Sequence, residues 1–266
     1  MFRLGYHIIS RIILGLCLLF TPLAMADVTT PDQLDAAQAL FQTGDYDEAR
    51  TLAESLKTPH GYVLASEAVS AKLILGYFEK PYNAAVRARE LAEKAIALSP
   101  DNIDAQFQYA VAFGLETQST GVIKAWRKRL PKRMLEVIED LRLMAPDDPR
   151  GHALLGAWHL GIVNKVGQRN AYKWYKASEE TGMAHYERAL NLAQDDILIA
   201  SNYAASTISL GNPDYAQKLL ISVVNMPAKS AAERGIQDRM KALLELSDQP
   251  KEQRQAAKRF LNNKAP

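Results

Sequence analysis

The sequence predicts an all-α protein, a right-handed α-solenoid of about five helix pairs with a C-terminal capping helix. Three observations support this class. Apolar residues recur at intervals of three and four, as they do along one face of a helix. No segment sustains the apolar-polar alternation of a half-buried strand. One pattern of small residues, an apolar seam and a closing proline returns along the chain, and such repetition indicates stacked units.

The first 26 residues have the features of a secretory signal peptide. Arg3 and Arg11 precede the apolar run Ile12–Phe20, and Ala24-Met25-Ala26 closes the segment. A basic start, a short apolar stretch and a small-x-small end are typical of a cleaved export signal. The run is also shorter than the roughly 20 apolar residues that a retained membrane anchor needs. We therefore predict cleavage after Ala26 and a periplasmic mature protein.

Removal of this segment changes the composition in two ways. Cys17 is the only cysteine, so the mature chain would have no disulfide and no thiol chemistry. Loss of Arg3 and Arg11 leaves 30 basic residues against 30 acidic ones. A balanced charge gives no electrostatic footprint for nucleic acid, and export argues against it as well. We predict no nucleic-acid partner.

The repeats divide the solenoid domain, predicted at 27–248, into five helix pairs. These lie at about 30–60, 65–101, 103–147, 149–195 and 197–227. The second pair shows the pattern plainly, since Ala88, Ala92 and Ala95 let a neighbouring helix approach and Pro100 ends the helix. A last amphipathic helix at about 229–247 should cover the apolar end of the stack. The polar tail, 249–266, is expected to be disordered or only transiently helical.

Units three and four are longer than the others. Each carries roughly a dozen extra residues between its two helices, around Glu116 to Pro131 and around Gly161 to Thr181. Insertions in solenoids collect on one face or rim, often the binding one. The alternative is that these segments only lengthen helices and cover the groove of the stack.

The repeated pattern resembles the tetratricopeptide repeat (TPR). Leu75-Gly76 and Leu155-Gly156 stand where the first helix of such a unit carries its Leu-Gly pair, and Tyr186-x-x-Ala-Leu stands in a second helix. The C-terminal half, with His152-Ala-Leu-Leu-Gly-Ala-Trp158 and Val224-Asn-Met-Pro227, is similar to the regulator of microtubule dynamics family and its bacterial relatives. It is also similar to periplasmic TPR proteins that accompany uptake transporters. The resemblance implies a fold and a binding role, and it brings no catalytic motif.

The sequence contains no recognised catalytic motif, neither a Gly-x-Ser-x-Gly elbow, nor a phosphate-binding loop, nor His-Glu-x-x-His. His152 and His159 share one face of a predicted helix, and with His185 they could offer three nitrogens to a metal. Two helical turns, however, separate the pair by about 10 Å, and ligand bonds are only about 2 Å long. Histidines that pack or face solvent are therefore the favoured interpretation. We predict no metal, no cofactor and no enzymatic activity.

The sharpest local charge feature is a run of six basic residues within ten positions. They are Lys124, Arg127, Lys128, Arg129, Lys132 and Arg133, with Trp126 among them. The run could form a rim patch that attracts anionic lipid headgroups or an acidic partner, with Trp126 as an interfacial anchor. The alternative, which the sequence favours, is a solvated helix start in which Trp126 packs back on the solenoid.

Aromatic residues cluster in the insertion of unit four. Tyr172, Trp174 and Tyr175 are interleaved with Lys173 and Lys176. Aromatic rings between cations can stack on an organic ligand. The alternative is one apolar face of a longer helix, which Tyr172 and Tyr175 would share.

The inner face of the stack is a more general candidate, because the first helices of TPR units line it. By register, Tyr77, Phe107 and Asn202 reach this face or lie close to it, and Gly114 would leave room there. A peptide or a partner helix could lie along such a groove.

Together these features predict an exported scaffold that captures a protein, peptide or other ligand of the cell envelope, with weak contact to anionic membrane surfaces. One alternative is a partner subunit of an envelope transporter. Another is an envelope enzyme with scattered catalytic residues. Convergent titratable residues in a pocket would favour the enzyme. A shallow groove would favour the scaffold, and a closed funnel would favour the transporter partner.

Overall fold

A computed structural model describes residues 30–78 and 80–264, so the predicted signal peptide lies outside the described residues. Across this part of the chain there are fourteen helices and no strand. They are α1 (Thr30–Thr43), α2 (Tyr46–Ser55), α3 (Pro59–Ile74), α4 (Pro81–Leu98), α5 (Ile103–Ser119), α6 (Val122–Arg127), α7 (Leu130–Met144), α8 (Pro149–Val166), α9 (Gln168–Tyr175), α10 (Glu179–Leu192), α11 (Ile197–Leu210), α12 (Pro213–Asn225), α13 (Ala231–Glu245) and α14 (Pro250–Leu261). The predicted all-α class is confirmed.

Five antiparallel pairs form the stack: α1 with α2, α3 with α4, α5 with α7, α8 with α10, and α11 with α12. Local sequence sets many of the helix starts. The side chains of Asn102, Asp148 and Asp196 accept hydrogen bonds from backbone N–H groups in the first turns of α5, α8 and α11. Proline occupies the first turn of several helices, where its missing N–H costs nothing. The solenoid of about five helix pairs is therefore confirmed.

Small residues let the helices approach closely. Ala85, Ala88, Ala92 and Ala95 of α4 are all fully buried, and α4 packs against both α3 and α5. In the fourth pair, a β-carbon added at Gly156 would lie only 2.6 Å from Cδ2 of Tyr186. The glycine of α8 thus provides the space that the buried tyrosine of α10 fills.

The two insertions form short additional helices. In unit three, α6 stands between α5 and α7, and in unit four, α9 stands between α8 and α10. Both pack on the same apolar cluster, through Ala125 of α6 and Ala171 of α9. The insertions are therefore separate elements attached to the stack and not simple extensions of its long helices. No helix among the described residues is long and apolar enough to cross a bilayer.

The chain ends in two helices. The capping helix α13 packs on α12 and α11, with Ile236, Met240 and Leu243 buried. The tail after Gln249 was expected to be disordered or only transiently helical, but it forms α14. Its order has a tertiary cause, because Ala257 and Phe260 are buried against the core cluster that also contains α11. The composition of the tail is polar because only one face of α14 is buried.

Candidate partner-binding face

The C-terminal helices cross the inner face of the stack. In addition to its contact with α11, α13 packs on α1, and a β-carbon at Gly235 would lie 2.8 Å from Cδ2 of Leu75, at the end of α3. The residues directly after α14 bond to Gln118 in α5 and to Lys165 in α8. The segment from α13 to the residues after α14 thus reaches α1, the end of α3, α5, α8 and α11. Because first helices were predicted to line the groove, this C-terminal segment lies on the helices expected to form it.

Arg239 is the main polar link between the C-terminal helices and the first units. One guanidinium nitrogen donates to the carbonyl oxygen of Ile74 at 2.9 Å, and another donates to the carbonyl oxygen of Lys264 at 2.8 Å. Its guanidinium also lies 4.7 Å from the ring centroid of Phe260. Arg239 therefore joins α13, the end of α3 and the end of α14 in one contact.

Apart from Arg239, α14 is held mainly by packing on α11. Phe260 is 4% exposed and Ala257 is fully buried. Nε2 of Gln253 donates to the carbonyl oxygen of Leu243 at 2.9 Å, while its buried Oε1 has no hydrogen-bond partner among the described residues. Most other α14 positions are exposed. The buried face of α14 therefore has one aromatic side chain, one small side chain and one buried amide.

The structure distributes the predicted groove residues over several environments. Tyr77 lies just after α3 and is 63% exposed. Phe107 is half-buried under the guanidinium of Arg150, 4.6 Å from its ring centroid. Asn202 is half-buried on α11 and donates to the carbonyl oxygen of Leu198. These three do not form one pocket.

Gly114 requires a correction. The β-carbon position at Gly114 lies 3.6 Å from Cε of Met134. The glycine therefore faces α7, the second helix of its own unit, and leaves no space on the inner face. The sequence prediction put Gly114 on the wrong face of α5. Successive side chains rotate around a helix, so an error of one or two residues in the register of the repeat moves a residue to another face.

A charged cluster on three first helices was not predicted from the sequence. Arg150 of α8 pairs with Asp104 of α5 at 2.7 Å and with Asp148 at 2.6 Å. Glu67 of α3 lies within range of both Asp104 and Arg150. Burial first, and then the charge of Asp104, raise the pKa of the Glu67 carboxyl to about 7. One feature of the sequence could have indicated this cluster. Glu67 is the only acidic residue in α3, which is otherwise rich in apolar and small residues.

The basic run lies on α6 and the start of α7. Arg127, Lys128, Arg129 and Lys132 are exposed, as are Lys124 and Arg133. Trp126 is 68% exposed, so it does not pack back on the solenoid as the favoured interpretation expected. The position against the core is filled by Trp158 instead, whose Nε1 donates to the carbonyl oxygen of Pro131 at 2.8 Å.

The aromatic cluster of the second insertion is split between two environments. Tyr175 is half-buried and its ring centroid is 6.4 Å from that of Trp158, edge to face. Tyr172 is 58% exposed and Trp174 is 51% exposed. The ammonium of Lys176 lies 4.9 Å from the ring centroid of Tyr172. Tyr172 and Tyr175 therefore do not share one buried face.

The three histidines stack side by side between α8 and α10. Nδ1 of His152 and Nδ1 of His185 are 3.0 Å apart, and the rings of His159 and His185 are 6.0 Å apart between centroids. Nδ1 of His159 accepts a hydrogen bond from the backbone N–H of Ser178. Burial and the charge of His185 lower the pKa of His159 to about 4. Among the described residues no group of three or more His, Cys, Asp and Glu side chains has metal-binding geometry.

Two solved structures are similar to this chain, and the first of them supports this architecture. A thermophilic TPR protein of Thermus thermophilus superposes with a TM-score of 0.58 at 18% sequence identity, over 80% of this chain and 100% of that one. MamA from its residue 41 to its end, from Desulfovibrio magneticus, gives a TM-score of 0.41 at 16% identity, over 72% of this chain and 91% of that one. A search of curated proteins finds no match. The fold is that of a TPR-type helical-repeat protein.

Family membership follows from the sequence. The family model described as Regulator of microtubule dynamics protein 1-3 matches residues 64–248. That range begins within α3, ends just after α13, and includes both insertions. The chain belongs to this family.

Proposed function

We propose that this protein is an exported scaffold of the periplasm whose inner face binds an amphipathic helix of a protein partner. Protein–protein interaction is the role that the TPR fold suggests. The predicted export signal in residues 1–26 supports the location. In the unbound protein, α14 occupies the face that the partner helix would take.

One observation carries the proposal: a helix already lies on the inner face. The side chains that α14 buries, Gln253, Ala257 and Phe260, follow one another at intervals of four and three residues and so lie on one face of the helix. Helix-in-groove recognition uses this kind of spacing in its ligand. A partner helix with a small residue and an aromatic residue at the same spacing would fit the same surface.

Affinity capture from envelope extract tests this proposal. Phe260→Ser removes the main buried anchor of α14 and should raise the recovery of one envelope protein several-fold over wild type. Lys258→Ser, which changes an exposed position on the same helix, is the matched control and should recover the wild-type amount. Equal recovery with both variants, each shown to be folded by its circular dichroism, would contradict the role of α14 as an occupant.

The location has its own test. Protein from a periplasmic extract should have Asp27 as its first residue, as cleavage after Ala26 requires. Recovery of the intact chain in the cytoplasm would refute export without affecting the groove proposal.

Different observations would support the two alternatives, a transporter partner and an envelope enzyme. Enrichment of one membrane complex with transport subunits would identify a transporter partner. The cluster of Glu67, Asp104 and Arg150 is the strongest feature for an enzyme, because it joins titratable groups from three helices. Arg150 is held by Asp104 and Asp148, however, which leaves it occupied by ion pairs. The geometry therefore supports the scaffold best.

A further inference from the structure

The insertion of unit three carries a strong positive charge with no local compensation. Residues 117–135 contain six basic side chains and no acidic one. None of the six is in an ion pair with a carboxylate among the described residues. Lys124 lies 5.0 Å from the ring centroid of Tyr82, and Arg133 lies 5.3 Å from that of Phe113. The other four, Arg127, Lys128, Arg129 and Lys132, are exposed and available to an external anion.

Two large apolar side chains project from the same short helix. Ile123 is 76% exposed and Trp126 is 68% exposed, whereas Ala125 between them is buried against the core. Residues three apart lie on the same side of a helix, so Ile123 and Trp126 form one apolar edge of α6. Beside this edge is a depression of about 830 Å³ whose lining includes Ile123, Lys124 and Arg127.

This combination matches an anionic lipid surface better than an acidic protein. A protein hot spot is usually a pocket or a preorganised group that a partner fills. Here four of the six cations, Arg127, Lys128, Arg129 and Lys132, are exposed, and the apolar side chains project from the surface. An anionic bilayer needs only unpaired cations near its headgroups and a shallow apolar anchor, and tryptophan is enriched at that depth.

We propose that α6 and the start of α7 form a docking surface for an anionic phospholipid bilayer. Arg127, Lys128, Arg129 and Lys132 attract the headgroups, while Trp126 and Ile123 enter the interface between headgroups and acyl chains. The surface lies on the insertion of unit three and uses none of the residues that α13 and α14 contact.

Vesicle sedimentation at low salt tests the charge component. Wild type should bind vesicles of phosphatidylglycerol and phosphatidylethanolamine but not vesicles of phosphatidylcholine. Each cation near an anionic surface strengthens binding roughly fivefold. Changing Arg127, Lys128, Arg129 and Lys132 together to glutamine should therefore lower the partition coefficient at least about 100-fold.

A control with the same change in net charge separates a local patch from a global effect. Lys218, Lys241, Lys251 and Lys258 are exposed lysines on other helices. Their joint change to glutamine should leave most of the binding intact. Equal loss with both quadruple variants, no binding by wild type, or equal binding to phosphatidylcholine would each overturn the proposal. Binding of wild type to soluble polyglutamate but not to vesicles would indicate an acidic protein partner instead.

Fluorescence tests the apolar component. The chain has three tryptophans, of which Trp158 is buried. In a Trp174→Phe variant, Trp126 is the only exposed indole among the described residues. Its emission should shift to shorter wavelength on anionic vesicles and be quenched by brominated lipid. Vesicle binding without either change would refute insertion of Trp126.

Discussion

Glu67→Gln is the perturbation whose effect follows most directly from the structure. The carboxyl lies largely buried on α3, facing the negative charge of Asp104, while Arg150 is already paired with two aspartates. Burial therefore raises the pKa of Glu67 from its ordinary value of 4.5 to about 7 in the folded protein. Glutamine keeps the shape of the side chain and remains neutral at every pH.

The sign and size of the effect follow from proton linkage. A group whose pKa is raised on folding contributes stability below its unfolded pKa of 4.5, and this contribution is lost as the pH rises through 7. Moving the pKa from 4.5 to about 7 corresponds to a free energy of about 3 kcal/mol as an upper bound. Above pH 7, Glu67→Gln should therefore stabilise the protein by roughly 1–3 kcal/mol, and near pH 4 it should have little effect.

Urea unfolding of both proteins across pH 4 to 8 measures this difference. Comparing variant and wild type at each pH cancels the titration of distant groups such as the histidine stack. Glu245→Gln, at an exposed position near the end of α13, is the matched control and should show no such rise with pH. A constant free-energy difference between Glu67→Gln and wild type across this range would refute the argument from burial.

Three other substitutions or titrations have defined outcomes. Gly156→Ala should destabilise the protein by about 1–3 kcal/mol in urea unfolding, because its new methyl group would overlap the ring of Tyr186. Gly161→Ala, on the same helix but facing open space, should be neutral or stabilising by up to about 1 kcal/mol; equal loss from both would exclude the steric explanation. The ring of His159 should titrate by NMR with a midpoint near 4, and a midpoint near 6.5 would show that burial does not hold it neutral. Phe260→Ala should cost clearly less in urea unfolding than the about 3–5 kcal/mol typical of a buried phenylalanine, because α14 detaches while the stack stays folded; the full cost would show that α14 unfolds only with the stack.

The repeated units could be predicted because each of their signals is local and physical. Ala88, Ala92 and Ala95 are small since α4 must approach two neighbours closely, and all three are fully buried. Gly156 and Tyr186 occur together because one makes room for the other across the pair α8–α10. Small residues of this kind lie within single helix pairs, so their local spacing indicates the stack.

The occupant of the inner face could not be predicted in the same way. The order of α14 depends on Phe260 and Ala257 meeting helices far away in sequence, and the polar composition of the tail gives no sign of this. Contact between α13 and α1 depends on how strongly five units curve. Curvature is the sum of small rotations between units, and no single motif encodes it.

The insertions show a different limit. The basic run could be recognised in the sequence. Whether Trp126 packs inward could not, because it depends on which side chain occupies the core next to α6, and Trp158 occupies it. The ion pair between Arg150 and Asp104 joins residues that the sequence separates by 46 positions, so neither partner indicated the other. The helices and their pairing within a unit could be predicted from nearby residues. The burial of Trp158 and the ion pair of Arg150 depend on residues from distant parts of the sequence.

Binding of a peptide with the sequence of residues 249–264 tests the central claim most directly. A labelled peptide should bind the folded Phe260→Ser protein, whose own α14 is loosened, and bind wild type far more weakly because its inner face is occupied. A peptide with the same Phe260→Ser change should bind neither protein. Failure of the wild-type peptide to bind the folded variant would contradict the account of the inner face as a helix-binding surface.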